Sequence, residues 1–261
     1  MCINITDIFV KEYHMKKIIF ALLIVFTSIS FGGTIDPSTP DSKHIEYGSK
    51  FHSILPISCF DGKGVSNGSA VAIHPNWIIT AAHVVQGSHL WSVKIGDKKY
   101  EIKKIFIHPE YKEDVFGNGD IALGYLEEQL ELDYYPDLYE ERDEVGKLCS
   151  MAGWGLTGTF NTGVKNADGK RRGGSNFIDK IEKNVLICSP SRKNNKSTEL
   201  EYLICSGDSG GGLFINGKLA GIHSSVLGYD GKPDSTYGDE STHSRVSSYI
   251  PWIKGVLNEK K

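Results

Sequence analysis

The sequence predicts an all-β fold of antiparallel strands, followed by one helix at the C-terminus. From residue 45 onward, short runs rich in β-branched and aromatic residues are separated by clusters of Gly, Asn, Asp and Pro, as in antiparallel strands joined by turns. Hydrophobic residues make up 39% of the 261 residues, so the chain can bury one sizeable core. The predicted strands are residues 69–73, 77–80, 91–95, 101–107, 121–126, 148–153, 212–215 and 219–224.

Residues 249–257 carry the clearest helical pattern, because apolar residues recur there at helical spacing after Pro251 near the first turn. Residues 157–176 are rich in Gly and polar residues and predict an exposed, mobile loop. We interpret the basic cluster at residues 170–172 as a solvated or protease-sensitive part of that loop, not as a binding site.

Residues 15–33 read MKKIIFALLIVFTSISFGG and predict a secretory signal peptide, since two lysines precede an apolar run and small residues follow it. A membrane anchor is the alternative, but the run at residues 18–29 is shorter than the roughly 20 residues that a spanning helix needs. Residues 1–14 are interpreted as an over-long start, because a signal begins at its own methionine. We therefore expect a protein secreted to a periplasm or out of the cell.

Residues 34–44 favour turns and are interpreted as a leader or propeptide, which leaves residues 45–261 as the folded domain. Cutting near Gly32 removes Cys2 and leaves four cysteines in a chain bound for an oxidising compartment. None has the CxxC spacing of a zinc or redox site, so we expect structural disulfides and no metal. The four are Cys59, Cys149, Cys188 and Cys205.

The charge balance argues against two classes of partner. The formal net charge is -3, which gives no basic excess to neutralise phosphates or to bind an anionic membrane surface. We therefore expect no nucleic acid partner and, once the signal is removed, no membrane anchor.

Residues 205–212 read CSGDSGGG and place Ser209 in a glycine-framed turn. Amide hydrolysis by serine requires a base that takes the hydroxyl proton, a carboxylate that orients the base, and N–H donors that face the oxyanion. In this turn the N–H groups of Gly207 and Ser209 could converge on one oxygen, because glycine leaves the approach open. A flexible linker turn is the alternative interpretation.

Two further segments supply the base and the carboxylate. Residues 80–85 read TAAHVV after an apolar run, so His83 sits where a strand ends. Residues 118–123 read NGDIAL, and Asp120 precedes an apolar run where a carboxylate could be partly buried and hold an imidazole. Taken singly, the histidine would be structural and the aspartate a turn former or cap.

Together these segments resemble the chymotrypsin and trypsin family of serine proteases, in its bacterial secreted form. TAAH, DIAL and GDSGG follow the family's order of His, Asp and Ser, and HPEY, GWG and the closing SRVSSYIPWI extend the resemblance to the C-terminus. The resemblance implies two packed antiparallel six-stranded β-barrels of the chymotrypsin type with a C-terminal helix. It also implies a monomeric endopeptidase that acts on proteins or peptides and requires no metal or organic cofactor.

The resemblance assigns roles by position. It makes Ser209 the nucleophile, His83 the general base and acid, and Asp120 the group that fixes the imidazole. Gly207 and Ser209 supply the oxyanion hole, and Ser224 matches the serine that hydrogen-bonds the carboxylate of Asp120.

In this family an aspartate at the position of Asp208 pairs with a new N-terminal ammonium after activation of the zymogen. Ile45 occupies the place of that terminus, and an activating protease is then implied. His44 stands where trypsin-type zymogens carry Arg or Lys, so either a different protease cuts here or other contacts order the oxyanion loop. A segment that simply forms the first strand is the alternative.

The specificity pocket departs from the trypsin pattern. Leu203 stands six residues before the nucleophile, where trypsin-like enzymes have an aspartate, so we expect no preference for Arg or Lys. His223 and Ser206 match a pocket histidine and serine of glutamate-specific bacterial relatives, and with the hydroxyls of Ser224 and Ser225 they could bind a substrate carboxylate. We expect a preference for Glu or Asp at P1, with a small or apolar residue as the alternative.

Two rival functions were considered. A catalytically inactive, protease-like binding protein is disfavoured because all three triad residues are present. An α/β-hydrolase is rejected because the order of its catalytic residues along the chain differs and its serine lies in a GxSxG elbow.

The family's cysteine partners are mostly missing here, and the pairing expected is Cys188 with Cys205 and Cys59 with Cys149.

Overall fold

The computed structural model describes residues 33–113, 115–166, 168–190 and 197–259, so the predicted N-terminal extension and residues 15–32 of the predicted signal lie outside the described residues. The described chain forms mainly antiparallel sheet, as predicted. Its elements are β1 (Thr34–Ile35), α1 (Asp41–Ser49), β2 (Ile54–Phe60), β3 (Val65–His74), β4 (Trp77–Thr80), α2 (Ala82–Val85), β5 (Leu90–Ile95), β6 (Lys98–Ile102), β7 (Lys104–Ile107), β8 (Ala122–Tyr125), β9 (Leu148–Gly153), β10 (Thr157–Thr159), β11 (Gly163–Asn166), β12 (Arg172–Phe177), β13 (Lys180–Glu182), β14 (Val185–Cys188), β15 (Tyr202–Leu203), β16 (Gly212–Ile215), β17 (Lys218–Leu227), β18 (Glu240–Arg245) and α3 (Val246–Asn258).

Two seven-stranded antiparallel sheets form the two barrel-like halves of the molecule. The first half has the strand order β6-β5-β2-β3-β4-β8-β7, and the second has the order β12-β9-β16-β17-β18-β14-β13. Each half buries its own apolar cluster, and a third cluster joins them to α3. In that shared cluster Trp77 and Ile79 of the first half meet Phe214 and Ile222 of the second. The predicted two-barrel fold with a C-terminal helix is confirmed, with seven strands in each sheet among the described residues where six were predicted.

The C-terminal helix begins earlier than the apolar pattern predicted. Helix α3 starts at Val246, so Pro251 lies inside it and not in its first turn. Proline has no N–H to donate to the carbonyl four residues earlier, which is that of Ser247. A guanidinium N–H of Arg142 donates to this carbonyl at 3.5 Å and so supplies a donor where the proline has none. Among the described residues, no helix is long and apolar enough to cross a membrane.

The prediction of a mobile loop at residues 157–176 is wrong. The segment forms β10, β11 and most of β12, and β10 pairs in parallel with β1 in a separate four-stranded sheet. Lys170 of the basic cluster is exposed, as predicted, but the Arg172 side chain is 2% exposed and makes ion pairs with Asp41 and Asp168 at 2.6 and 2.7 Å. Arg171 donates to three backbone carbonyls and lies 5.3 Å from the ring centroid of Trp154. Local composition missed this, because Asp41 and the three carbonyls lie more than 100 residues away in the chain.

Residues 34–44, which we expected to be a leader or propeptide, pack against the second barrel in the structure. Strand β1 lies between β10 and β15, and Thr34 and Ile35 are buried. Helix α1 packs so closely on β12 that a Cβ added to Gly48 would come within 2.6 Å of the Arg172 backbone. Ile45, the candidate new terminus, lies within α1. The segment is therefore part of the folded body of the uncut chain.

The expected disulfide pairs are also not supported. All four cysteines among the described residues are buried and free, and the Sγ atoms of Cys149 and Cys188 lie 3.9 Å apart. Cys59 belongs to the apolar cluster of the first barrel, whereas Cys149 belongs to that of the second, so these two cannot pair.

Candidate active site

Local structure places the predicted base and carboxylate side by side. His83 lies in the single-turn helix α2 just after β4, and Asp120 lies two residues before β8, which pairs with β4. Because paired strands fix the ends of both segments, Asp120 reaches His83 twice. The Asp120 carboxylate accepts one hydrogen bond from the His83 backbone N–H at 3.0 Å and a second from the ring Nδ1–H at 2.9 Å.

The Asp120 carboxylate is held on a second side by the other barrel. The hydroxyl of Ser224 in β17 donates to Asp120 Oδ2 at 2.6 Å, and the hydroxyl of Ser244 in β18 donates to the Asp120 carbonyl at 2.7 Å. Burial acts to raise the pKa of Asp120, but hydrogen bonds from His83 and Ser224 outweigh it, so the pKa is lowered. The carboxylate therefore stays ionised and holds the Nδ1–H tautomer of His83, which leaves Nε2 free to act as a base.

Ser209 lies in the turn between β15 and β16 and faces the same junction. Its hydroxyl donates to the carbonyl of Ser224 at 3.4 Å, while the Ser224 hydroxyl binds Asp120. The backbone of Ser224 thus joins the predicted nucleophile to the His83–Asp120 pair. Within the described chain, no hydrogen bond joins Ser209 Oγ to His83, as is common in substrate-free sites where such contacts tighten only on binding.

The turn around Ser209 presents two unused backbone donors. Gly207 and Gly210 have φ values of +92° and +84°, which favour glycine. The N–H groups of Asp208, Gly210 and Gly211 are bound to backbone carbonyls. In the described part of the chain, the N–H groups of Gly207 and Ser209 have no such acceptor, so both are available to an oxyanion.

Ser69 in β3 connects the first barrel to this turn and was missed in the sequence. Its hydroxyl donates to the Gly207 carbonyl at 3.0 Å and accepts the N–H of Trp154 at 3.1 Å. Its own N–H donates to the Ser209 carbonyl at 2.8 Å. No local motif could reveal this role, because the partners lie 85 to 140 residues further along the chain. Ser244 was missed for the same reason.

Asp208 is not paired with Ile45 in the structure. Its carboxylate is fully buried and accepts the N–H of Gly155 at 2.7 Å, the N–H of Cys205 at 2.9 Å and the hydroxyl of Tyr202 at 3.2 Å. Burial raises the pKa of Asp208 to about 6 against the lowering effect of these donors. The uncut chain does not bring the predicted activation pair together.

The predicted pocket residues divide into two groups. Ser206 and Ser225 are exposed and Ser224 is half-buried, so their hydroxyls can face a substrate. Leu203 and His223 are fully buried, and Leu203 pairs with Thr34 of β1. The structure therefore does not present His223 to solvent as the sequence led us to expect.

His223 instead forms a buried pair with His243. With both rings neutral, His223 Nε2–H donates to the Ala152 carbonyl at 3.2 Å, and His243 Nδ1–H donates to His223 Nδ1 at 2.9 Å. His243 Nε2 lies 3.0 Å from the hydroxyl oxygen of Ser241. Burial lowers the pKa of His223 to about 3 and also lowers that of His243, so both rings are uncharged at neutral pH.

A cavity of about 220 Å³ lies beside His83 and Asp120. Its lining includes His83, Asp120, Ser224 and Ser225, together with Lys112. A substrate side chain can enter it next to the imidazole. The site thus combines an oriented imidazole, a hydroxyl, two free N–H donors and space for a bound chain.

Two β-barrels with Ser, His and Asp at their junction are characteristic of serine-protease-like proteins. The sequence model described as Trypsin matches residues 60–253, and the chain belongs to this family.

Similar proteins agree with this assignment. Glandular kallikrein-10 of Rattus norvegicus is 26% identical over 273 residues, covering 91% of this chain and 98% of its own length. Chymotrypsin-like elastase family member 1 of Homo sapiens is 28% identical over 211 residues, covering 71% and 79%. Among solved structures, mouse neuropsin, a serine protease, gives a TM-score of 0.63 at 22% identity, covering 80% of this chain and 96% of its own. HL collagenase gives 0.65 at 18% identity, covering 81% and 96%. These structures show the shared fold.

Proposed function

We propose that this protein is an exported serine endopeptidase that hydrolyses peptide bonds through a covalent acyl-enzyme on Ser209. The observation that carries the proposal is the continuous set of contacts at the barrel junction. Asp120 accepts from His83 and from the Ser224 hydroxyl, and the Ser224 carbonyl accepts from Ser209. The predicted signal peptide supports export.

The contacts support a two-step reaction. Ser209 Oγ turns from the Ser224 carbonyl toward His83 Nε2, gives up its proton and attacks the scissile carbonyl. The N–H groups of Gly207 and Ser209 stabilise the oxyanion, and protonated His83 then donates to the leaving amine. Water, deprotonated by His83, attacks the acyl carbon and releases the acid product with Ser209 restored.

A catalytically inactive binding protein is the alternative. Loss of catalysis would be expected to leave a missing triad side chain or N–H groups turned inward to backbone acceptors. Here Asp120 is held by four donors, and the two N–H groups of the turn remain available. These observations favour the enzyme.

Labelling with a fluorophosphonate tests the proposal. An activated Ser209 displaces fluoride from phosphorus, so the wild-type protein should become covalently labelled and Ser209→Ala should not. Ser88→Ala, in the first barrel, is the matched control and should label like the wild type. Absence of labelling in the wild type, or equal labelling of Ser209→Ala, would contradict the proposal.

We further propose that the enzyme prefers an acidic P1 residue. The proposal is supported by the exposed hydroxyls of Ser206 and Ser225, and by His223, whose Nε2–H could leave the Ala152 carbonyl for a substrate carboxylate. His243 would then stabilise the ring from behind. If His223 stays buried, a small or apolar preference results.

Cleavage of a peptide library by the wild type and by His223→Leu tests the preference. We expect the wild type to favour Glu at P1 by about tenfold over Gln, and the variant to lose that difference, because one hydrogen bond to a charged group is worth about that factor. An identical P1 profile for both proteins, or indifference of the wild type to acidic residues, would contradict the proposal.

A further inference from the structure

Two thiols lie in contact inside the second barrel. Cys149 belongs to β9 and Cys188 is the last residue of β14, 39 residues later, and their Sγ atoms lie 3.9 Å apart. Both side chains belong to the apolar cluster of this barrel, and their exposed fractions are 1% and 0%. An S–S bond is about 2.05 Å long, so each sulfur must move by about 1 Å to form one. A side-chain rotation supplies a movement of that size.

The two cysteines lie on opposite sides of the seam of the second barrel. In the strand order of its sheet, β9 and β14 are each second from an edge, and within the described chain no ladder joins the edge strands β12 and β13. The corner between them is held by the N–H groups of Ile178 and Asp179, which donate to carbonyls next to β9 and in β14 at 3.0 and 2.9 Å. A bond between Cys149 and Cys188 would tie β9 to β14 across the interior, where the sheet is open.

The other two cysteines among the described residues have different surroundings. Cys59 belongs to the apolar cluster of the first barrel. The Cys205 thiol contacts the carbonyls of Leu156 and Ser206. In the described part of the chain, Cys149 and Cys188 are therefore the pair whose sulfur atoms already touch.

We propose that Cys149 and Cys188 form a disulfide in the exported protein. The inference rests on the export proposed above and not on the catalytic step. The oxidant is a disulfide, such as that of an oxidised thiol–disulfide oxidoreductase. One cysteine thiolate attacks it, forms a mixed disulfide and releases one thiol of the oxidant. The second cysteine thiolate then attacks the protein sulfur of the mixed disulfide, the S–S bond forms, and the second thiol of the oxidant leaves. Two electrons and two protons pass from the pair to the oxidant.

Burial determines when this reaction takes place. The contact with Cys149, together with burial, raises the pKa of the Cys188 thiol well above its ordinary value. A neutral, enclosed thiol is a poor nucleophile towards a disulfide. The bond therefore forms while β14 docks and before the barrel closes, and in the folded protein it is out of reach of a reductant.

Peptide mapping tests the pairing. The full chain is produced in an exporting host and, separately, refolded with reduced and oxidised glutathione. Free thiols are blocked with iodoacetamide in urea, and the unreduced protein is cleaved after Lys and Arg. We expect one crosslinked product, made of residues 148–165 and 184–192, and blocked thiols at Cys59 and Cys205.

Blocked thiols at both Cys149 and Cys188 in either preparation, or a crosslink from one of them to another cysteine, would overturn the inference. The map does not depend on catalysis. A protein that carries the crosslink but does not react with the fluorophosphonate would count against the proposed function alone, so the two failures are distinct.

Thermal unfolding measures the effect of the bond. A crosslink that closes a loop of 39 residues restricts the unfolded chain, so the oxidised wild type should have a Tm about 5 to 15 °C above that of protein reduced in urea and refolded with dithiothreitol. Cys188→Ala should have the same Tm in both states. Cys59→Ala, at an equally buried cysteine of the first barrel, is the matched control and should keep the difference.

Equal Tm values for the oxidised and reduced wild type would contradict the proposal, as would a difference that persists in Cys188→Ala. If that variant does not fold, the peptide map of the wild type still decides the question.

Discussion

Asp120→Asn is expected to lower kcat about ten-thousandfold, with little change in KM. The carboxylate accepts the backbone N–H and the Nδ1–H of His83 together with the Ser224 hydroxyl. An amide of the same shape can accept with its oxygen, but its NH2 group would face His83 Nδ1 and favour the tautomer with the proton on Nε2. That tautomer cannot take the proton of Ser209. Steady-state hydrolysis of a peptide substrate measures the loss.

Asp97→Asn is the matched control for this change. Asp97 is an exposed aspartate in the turn between β5 and β6, far from the site in the fold, and its replacement should leave kcat unchanged. Residual activity of Asp120→Asn within tenfold of the wild type would show that His83 does not depend on this carboxylate.

Arg245→Leu is expected to lower the free energy of unfolding by about 3 to 5 kcal/mol. Glu144 is fully buried and accepts two guanidinium N–H donors of Arg245, at 2.8 and 2.6 Å, and the Ser247 hydroxyl at 2.8 Å. Removing the guanidinium leaves a buried carboxylate with one remaining side-chain donor, which is the costly case. Urea unfolding of both proteins at pH 7 measures the difference.

The pH dependence of that difference identifies its cause. Burial acts to raise the pKa of Glu144, but hydrogen bonds from Arg245 and Ser247 outweigh it and lower the pKa in the wild type. The wild type therefore holds this stabilisation above the unfolded pKa and loses it as pH falls. In the variant the uncompensated carboxyl protonates at higher pH, so the two unfolding free energies should converge toward pH 4. Lys254→Met, which breaks the exposed pair with Glu140, is the control and should cost less than about 1 kcal/mol at either pH.

The candidate triad could be predicted from the sequence because each of its members lies in a short motif with a local structural reason. The glycines around Ser209 require positive φ, and the apolar runs beside His83 and Asp120 form paired strands. The pairing of distant strands then brings the segments of Ser209, His83 and Asp120 to the barrel junction. The two-barrel fold followed from the strand pattern and from the family resemblance.

The packing of the N-terminal segment could not be predicted because its composition carries no information about its partners. Residues 34–44 contain turn-forming residues, yet β1 pairs with β10 and β15. Arg172, whose neighbours in sequence are Gly and polar residues, is buried by Asp41 far away in the chain. Exposure was inferred from neighbours in sequence, whereas burial depends on neighbours in space.

The sequence by itself determined the family, the candidate triad residues and the glycine-framed turn that offers two N–H donors, because these depend on residue chemistry within a few positions. Only the tertiary structure decided that Asp208 is held by Tyr202, that His223 is buried against His243, and that the chain before Ile45 packs into the second barrel. Each of these outcomes depends on which buried polar group finds a partner, and those partners become neighbours only when the two barrels fold.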